Sequence, residues 1–443
     1  MVGRKSKKAY VVAVDMGYGH QRAALPLLDI AQGGEIITAN EYAGIPQSDK
    51  TIWQESRRFY EIVSRFKGFP VLGDFVFSVF DKFQEIQSFY PTHERIDSPS
   101  FSLRQMYNLF VKRDWGKHFI QKLNQESLSA GGQAIPFVTT FFTPAFMADF
   151  WKYKGPIYLV VTDTDISRTW APLYPQKSKI VYCASTERVA DRLERYGVHE
   201  KNIALCGFPL PREFTKNRAA KAKKDLIRRL AVLDPNRRYV EQYKKTVQRY
   251  VGRVPERKKG KYQVHVTFAI GGAGAQGEVA ENIMQSVKPL LADGTIQLHF
   301  IAGIHAGLAT RLRQAGKEFG LSFALDKSLH IHVAPTKQKY FLQFNRIISE
   351  TDILWTKPSE LVFYAGLGIP LLLSNPIGSQ EKFNRTWLVD TGAGIDQRDP
   401  CYTHQWLPDL LEDGTFAEAA MQGFVEIPKN GAENIKRLVL RGL

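Results

Sequence analysis

Long apolar runs are missing from this chain of 443 residues. None approaches the ~20 consecutive apolar residues that a membrane-spanning helix needs, so no helical span is expected. Cysteine is scarce. Cys183, Cys206 and Cys401 stand far apart, with no Cys-x-x-Cys pair and no histidine at metal-ligand spacing. That pattern excludes a disulfide framework and a cysteine-based zinc site, and it suits buried reduced thiols in a cytoplasmic protein. Low-complexity tracts and internal repeats are also lacking. Near the N-terminus a basic stretch leads into AYVVAVDMG. Its apolar run is short and breaks at Asp15, so it reads as a first β-strand and not as a signal peptide.

What is present describes a globular α/β protein. Hydrophobic residues make up 44% and charged residues 23%, the balance of a folded chain, and the length exceeds what one ordinary core supports. Short apolar runs suited to buried strands occur at residues 10–15, 158–162, 180–183, 265–270, 298–302, 330–333, 353–356 and 370–373, with helix-length segments between most of them. Strands alternating with helices predict parallel sheets with crossover helices. The pattern appears on both sides of a charged stretch. It predicts two doubly wound Rossmann-like domains facing a central cleft, 1–214 and 262–443, joined by a basic insertion at 215–261.

Charge is uneven. Residues 212–261 carry 18 Lys and Arg against five Asp and Glu, which accounts for most of the formal net charge of +16. Within this arm Tyr239, Tyr243, Val247 and Tyr250 recur at helical spacing. A basic helix with an aromatic stripe suits an anionic membrane surface. The same features also fit a solvated arm whose tyrosines pack on a domain, and, less well, a nucleic-acid backbone.

Three loops carry candidate chemistry. The first is residues 356–395, TKPSELVFYAGLGIPLLLSNPIGSQEKFNRTWLVDTGAGI. It reads as turn, helix, buried strand, polar loop and helix. A helix starting at Ser359 and Glu360 leaves N–H groups available to an anion. The loop beyond the strand offers Gln380, Glu381 and Asn384 as hydroxyl-binding side chains. The second follows the first strand, where Gly17, Gly19 and His20 precede a helical run. The glycines permit a tight turn and close ligand approach. A histidine near a helix N-terminus stays neutral and can accept a proton; a simple capping role fits equally. The third is the strand at 158–162 with Asp163, Asp165 and Trp170 beyond it. Asp163 stands where α/β domains place ligands, although turn chemistry also explains both acids. In addition Gly271, Gly272, Gly274 and Gly277 lie between a strand and a helix and can cradle a phosphate. Residues 57–90 are dense in aromatics interleaved with Lys and Arg.

These motifs, in this order, resemble the glycosyltransferases that make glycosyldiacylglycerols and lipid II. The matching elements are Gly17-x-Gly19-His20; Asp163, Trp170, Gly207-x-Pro209 and Arg212-x-Phe214; the Gly272–Gly274 loop; Thr356-Lys-Pro; Gly368-Ile-Pro370; Gln380-Glu381-x-x-Asn384; and Gly392-Ala-Gly394. The resemblance implies the GT-B fold. It also implies an inverting transfer from a nucleoside-diphosphate sugar, UDP-linked in the family, to a hydroxyl of a lipid-like acceptor at the inner face of the cell membrane. In that scheme His20, with Asp163, deprotonates the acceptor. Gly272, Gly274 and the Ser359 turn bind the diphosphate, and Gln380, Glu381 and Asn384 read the sugar. Gly17, Gly19 and Trp170 face the acceptor. The aromatic stretch would receive the lipid. No metal or other cofactor is implied. One departure is plain: the family's ribose-binding Glu falls at Phe363, which leaves Glu360, one turn earlier, as the carboxylate available. An epimerase or a non-catalytic nucleotide-sugar-binding protein shares this architecture.

Overall fold

The structure, a computed structural model, describes residues 8–66, 86–87, 89–90, 96, 98–129, 134–256, 262–271, 276–376 and 378–442. It divides into two compact units, one of Met1–Arg212 with Gly378–Phe383 and Asn430–Leu443, the other of Glu213–Ile377 with Asn384–Lys429.

The first unit is built on six parallel strands: β1 (Tyr10–Ala13), β2 (Ile37–Thr38), β3 (Phe137–Thr139), β4 (Ile157–Val160), β5 (Ile180–Ala184) and β6 (Ile203–Leu205), in the order β2-β1-β3-β4-β5-β6. β1 and β4 are buried along their whole length, as near-continuous apolar runs with helices on both faces should be. One face packs Val12, Phe137, Leu159 and Tyr182 with Phe110, Phe119 and Phe146. The other packs Val11, Val138, Tyr158 and Cys183 with Ile435 and Val439 of the C-terminal helix Gly431–Arg441.

The second unit repeats the plan with β7 (Val264–Ala269), β8 (Ile296–Ile301), β9 (Leu329–His332), β10 (Ile353–Thr356), β11 (Leu371–Leu373) and β12 (Gly394–Asp396), ordered β12-β11-β10-β7-β8-β9 and all parallel. Counted from its own first strand this is the 3-2-1-4-5-6 arrangement, whose order reverses between β7 and β10; in the first sheet it reverses between β1 and β3. Loops at the carboxyl ends of strands diverge at such a switch point and leave room for a ligand. The fold class is therefore the expected one. All eight sequence-predicted strands are present, shifted by a residue or two. The four that were missed, β2, β3, β6 and β12, have two or three residues each, too few to carry a period.

The basic segment folds with the second unit. Its long helix Arg212–Leu233 places Leu226, Leu230 and Leu233 in that unit's core, joined by Tyr239, Val240, Val247, Val251 and Val254. The tyrosine stripe is not one helix. Two short helices, Arg238–Gln242 and Lys244–Tyr250, meet at Tyr243, which at 41% exposure faces outward with Tyr250 while Tyr239 is buried. Packing thus takes half of the stripe.

Arg229 fixes this helix in place. Its side chain is 1% exposed. Nε donates to the Thr351 carbonyl at 2.8 Å, Nη1 to Leu367 at 2.9 Å and Nη2 to Ile348 at 3.5 Å. These carbonyls belong to the ends of helix Lys337–Glu350 and of the 3-10 helix Glu360–Leu367, where the helix dipole favours a cation. Burial pushes the guanidinium down to about 10, so it stays charged at neutral pH. Its neighbour Arg228 pairs with the buried Asp352 at 2.6 Å.

No helix among the described residues is long and apolar enough to cross a membrane. The aromatic stretch 57–90 lies largely outside the described residues.

Replacing Arg229 by Met leaves buried carbonyls without their donor. We expect a loss of roughly 2–4 kcal/mol, since each unsatisfied buried acceptor costs on the order of 1–3 kcal/mol. The urea midpoint followed by circular dichroism measures it, and a midpoint equal to the parent's would remove Arg229 from this role.

Candidate functional site

At the switch point of the first sheet the chain leaves β1 through Val14, Asp15 and Met16 and enters the helix Tyr18–Ala24. Gly17, the residue before that helix, has φ 136° and ψ 178°, a region essentially restricted to glycine. Gly19 lies inside the helix, one residue before His20. The Asp15 N–H is held by Asn40 Oδ1 at 2.9 Å, and Asn40 Nδ2 donates to the Asp15 carbonyl at 3.2 Å. The loop is therefore tied to the chain beyond β2.

His20 faces the loop that follows β3. Its Nδ1 lies 2.9 Å from the Thr140 carbonyl, and Thr140 Oγ1 donates to the His20 carbonyl at 2.7 Å. A carbonyl only accepts, so Nδ1 carries the proton and Nε2 is left as the acceptor. The Phe141 ring lies 4.6 Å from the imidazole. Burial pushes the imidazole down to about 4, and the Thr140 carbonyl opposes this only in part. His20 is thus a neutral acceptor at pH 7. Thr162 Oγ1, just past β4, is 3.5 Å from His20 Nδ1 and 3.5 Å from Asp163 Oδ2. The structure places Thr162 between the histidine and the aspartate, and the partner that orients the ring is the Thr140 carbonyl.

Met16, His20, Phe141, Phe142, Asp165, Ile166 and Trp170 line one pocket, together with Gln380 of the segment that groups with this unit. Trp170 is buried and meets the Phe142 ring edge-on at 5.3 Å. Asp163 is buried and its carbonyl accepts from Ser185 Oγ. Asp165 is held by the wholly buried Arg192 at 2.8 Å and by the Ile166 N–H at 2.8 Å. Burial pushes its carboxyl up, against the pull of Arg192. The pocket sets aromatic and aliphatic side chains beside a neutral base, an ion-paired acid, an amide and the hydroxyl residues Ser167 and Thr169. Sequence reasoning missed Thr140, Thr162, Phe141 and Phe142. The signal was FVTTFF at residues 137–142, hidden because β3 is so short.

In the second unit the carboxyl edge is organised by the turn after β10. Ser359 N donates to the Lys357 carbonyl at 2.7 Å, and Asn384 Nδ2 donates to the Pro358 carbonyl at 3.2 Å. Asn384 is 1% exposed, so its amide ties the helix Ser379–Asp390 to the turn. The helix expected at Ser359 is the 3-10 helix Glu360–Leu367, whose first N–H groups are partly used internally: Leu361 N reaches Ser359 Oγ at 3.5 Å and Val362 N the Ser359 carbonyl at 3.0 Å. Glu360 and Glu381 sit half-exposed in the first turns of their helices. Phe363, at the position of the family's ribose-binding Glu, is buried with its ring 5.3 Å from Trp387. Gly272 and Gly274 lie outside the described residues. Two buried polar atoms beside the strand ends, Gln276 Oε1 and Ser374 Oγ, have no hydrogen-bond partner among the described residues, which leaves capacity there for a ligand or water.

A second cluster was not anticipated. His265, His299, His330 and His332 stack across β7, β8 and β9, with His299 Nδ1 3.1 Å from His332 Nε2. Burial pushes His299 down to about 3 and His332 to about 4. Among the described residues no three His, Cys, Asp or Glu side chains are placed to hold a metal ion.

These imidazoles bind protons more readily in the unfolded chain, near pH 6.5, than in the folded one. Stability is therefore lost as pH falls from about 6.5 towards 4. We expect ¹⁵N spectra of the folded protein to show His20 as the Nδ1–H tautomer, titrating near pH 4. A His20 resonance titrating near 6.5 would contradict the buried, carbonyl-held geometry.

Residues 239–433 match a family model described as a domain of unknown function (DUF6938). The chain is similar to the processive diacylglycerol beta-glucosyltransferase of Bacillus licheniformis, 22% identical over 377 residues that cover 81% of this chain and 82% of that protein. It is equally similar to the enzyme of the same name from Bacillus pumilus, 22% identical over 400 residues covering 88% and 83%. Among solved structures it is similar to Acinetobacter baumannii MurG, at 11% identity and a TM-score of 0.42, covering 73% of this chain and 78% of that one. By sequence the chain is a distant relative of the processive diacylglycerol glucosyltransferases, and each of its two units is built on a doubly wound, six-stranded parallel sheet.

Proposed function

We propose that this protein is an inverting hexosyltransferase that moves a sugar from a UDP-sugar to a hydroxyl of a lipid-like acceptor. The observation that carries the reading is His20, a neutral imidazole held by the Thr140 carbonyl in a pocket where Phe141, Phe142, Ile166 and Trp170 stand beside a few polar side chains. Such a base suits an acceptor that is apolar apart from its reacting hydroxyl. The distant relationship to diacylglycerol glucosyltransferases over most of the chain supports the same reaction class. In the reaction the acceptor oxygen attacks the anomeric carbon, its proton passes to His20 Nε2, and the bond to the diphosphate breaks. Asp163 acts through Thr162 and His20. Gly272, Gly274 and the Ser359 turn hold the departing diphosphate by backbone donors. Gln380 and Glu381 bind sugar hydroxyls, and Glu360 serves the ribose in place of the residue lost at Phe363.

The test has two arms. Thermal-shift titration with UDP, GDP, TDP and their sugars should give stabilisation by one nucleotide class, larger with one sugar. The His20→Ala variant should keep that shift while its transfer to a diacylglycerol acceptor falls by roughly 10²–10⁴-fold. No shift with any nucleotide, in keeping with the phenylalanine at 363, would favour a non-catalytic protein of this architecture. Turnover of nucleotide sugar without acceptor would favour an epimerase.

The exposed cations of the basic segment, Lys223, Lys224, Arg238, Lys244, Lys245, Arg249 and Arg253, accompany Tyr243 and Tyr250 on its outer side. We read them as the contact to an anionic bilayer surface, at the inner face of the cell membrane. Sedimentation with vesicles should rise with their anionic lipid content and fall with added salt. Binding indifferent to lipid charge, or a preference for RNA or DNA, would defeat this assignment.

A further inference from the structure

Cys183 and Cys206 are 23 positions apart in sequence; Cys183 lies on β5, and Cys206 directly follows the neighbouring parallel strand β6. Cys183 pairs with Ala204 in the β5–β6 register, and the Cys206 N–H donates to the Ala184 carbonyl at 2.9 Å. Both side chains enter the same core face, Cys183 fully buried and Cys206 5% exposed. Cys206 follows Ala204 by two residues, so its side chain and that of Cys183 are diagonal neighbours on this face. Cys401, in the second unit, is exposed.

We propose that Cys183 and Cys206 form a redox-active dithiol, a site of reversible two-electron oxidation whose oxidant is a hydroperoxide. The Cys206 sulfur, as thiolate, attacks the distal peroxide oxygen. The O–O bond breaks, the alkoxide takes up the proton lost by Cys206, and a sulfenic acid is left. The Cys183 sulfur then attacks the Cys206 sulfur. The S–S bond forms, and the hydroxyl leaves as water with the Cys183 proton. Two thiols and one hydroperoxide give one disulfide, one alcohol and one water.

The surroundings assign the roles. The hydrogen bond from Cys183 holds the Cys206 thiol below the usual thiol range, burial opposes this, and Arg437 adds to it. Cys183 is pushed well up by giving that hydrogen bond and by its burial. The more acidic sulfur is also the more accessible one, since Cys206 stands at the end of β6, the edge strand of the sheet. The helix Gly431–Arg441 covers the pair through Ile435 and Val439, and Asn434 Nδ2 donates to the Cys206 carbonyl at 2.9 Å. Loosening of that one helix admits a small oxidant. Attack favours the more acidic and more accessible of two neighbouring sulfurs, and Cys206 is that one on both counts.

The experiment treats folded protein carrying Cys401→Ser with hydrogen peroxide, then digests it for mass spectrometry under non-reducing conditions. A linked Cys183–Cys206 peptide, lighter by two hydrogens and restored by dithiothreitol, is the expected result. Adding Cys183→Ala should leave Cys206 as a sulfenic acid that dimedone traps. Both thiols unmodified while the protein stays folded would overturn the proposal, and so would Cys206 passing to sulfinic acid with no linked peptide. The first arm leaves the pair intact and so does not depend on how the Cys183 variant folds.

Discussion

Two hydrogen bonds between His20 and Thr140, one in each direction, join the loops that leave β1 and β3. These strands are neighbours, yet the chain departs from them to different sides of the sheet. Beyond Thr139 the ladder ends, and a gap would open if side chains did not bridge it. The bridge also sets the chemistry of the site. A carboxylate partner would favour imidazolium and draw the ring towards the charged form. A main-chain carbonyl fixes the same tautomer with much less charge, and burial then decides the protonation state. The site holds a base that stays neutral over the ordinary range of pH, at some cost in proton affinity.

The second unit depends on a different device. Among the described residues Arg229 has no carboxylate within its hydrogen-bonding set; its guanidinium is satisfied by backbone carbonyls at the ends of two helices. A cation can be buried this way because helix C-termini supply negative partial charge already fixed in place. The result joins the basic segment to the carboxyl ends of the helices Lys337–Glu350 and Glu360–Leu367. Charge in this segment is thereby sorted. Arg229 is structural, Arg228 is paired with Asp352, and the lysines and arginines beyond remain on the surface.

The fold was legible in the sequence because parallel strands buried on both faces are apolar runs bounded by loops. Runs such as Tyr10–Ala13 and Ile353–Thr356 announce themselves. A strand of three residues does not, and with β3 unread its exit loop went unread too, taking Thr140 and the aromatics beside it. Gly17, His20 and Trp170 stood out in the sequence because a glycine just past a strand, a histidine by a helix start and an isolated tryptophan are chemically unusual. Asn384 was assigned to a sugar but also holds a turn, since an amide has several donors and acceptors and sequence does not reveal which are engaged. The meeting of Cys183 with Cys206 was illegible in principle: it follows from which strands lie side by side, and no spacing rule encodes that.

The first unit is assembled from pieces far apart in the chain, with its helix Gly431–Arg441 drawn from beyond nearly all of the second unit. On the ribosome, everything from residue 213 onward must be synthesised before that helix emerges. At ordinary elongation rates of roughly 5–20 residues per second, the sheet face carrying Val11, Val138, Tyr158 and Cys183 waits without Ile435 and Val439 for something like 10–45 s. Until then Ala24, Leu27 and Ile30 are the cover this face has from its own end of the chain. A stop codon shortly before Gly431 would make that wait permanent.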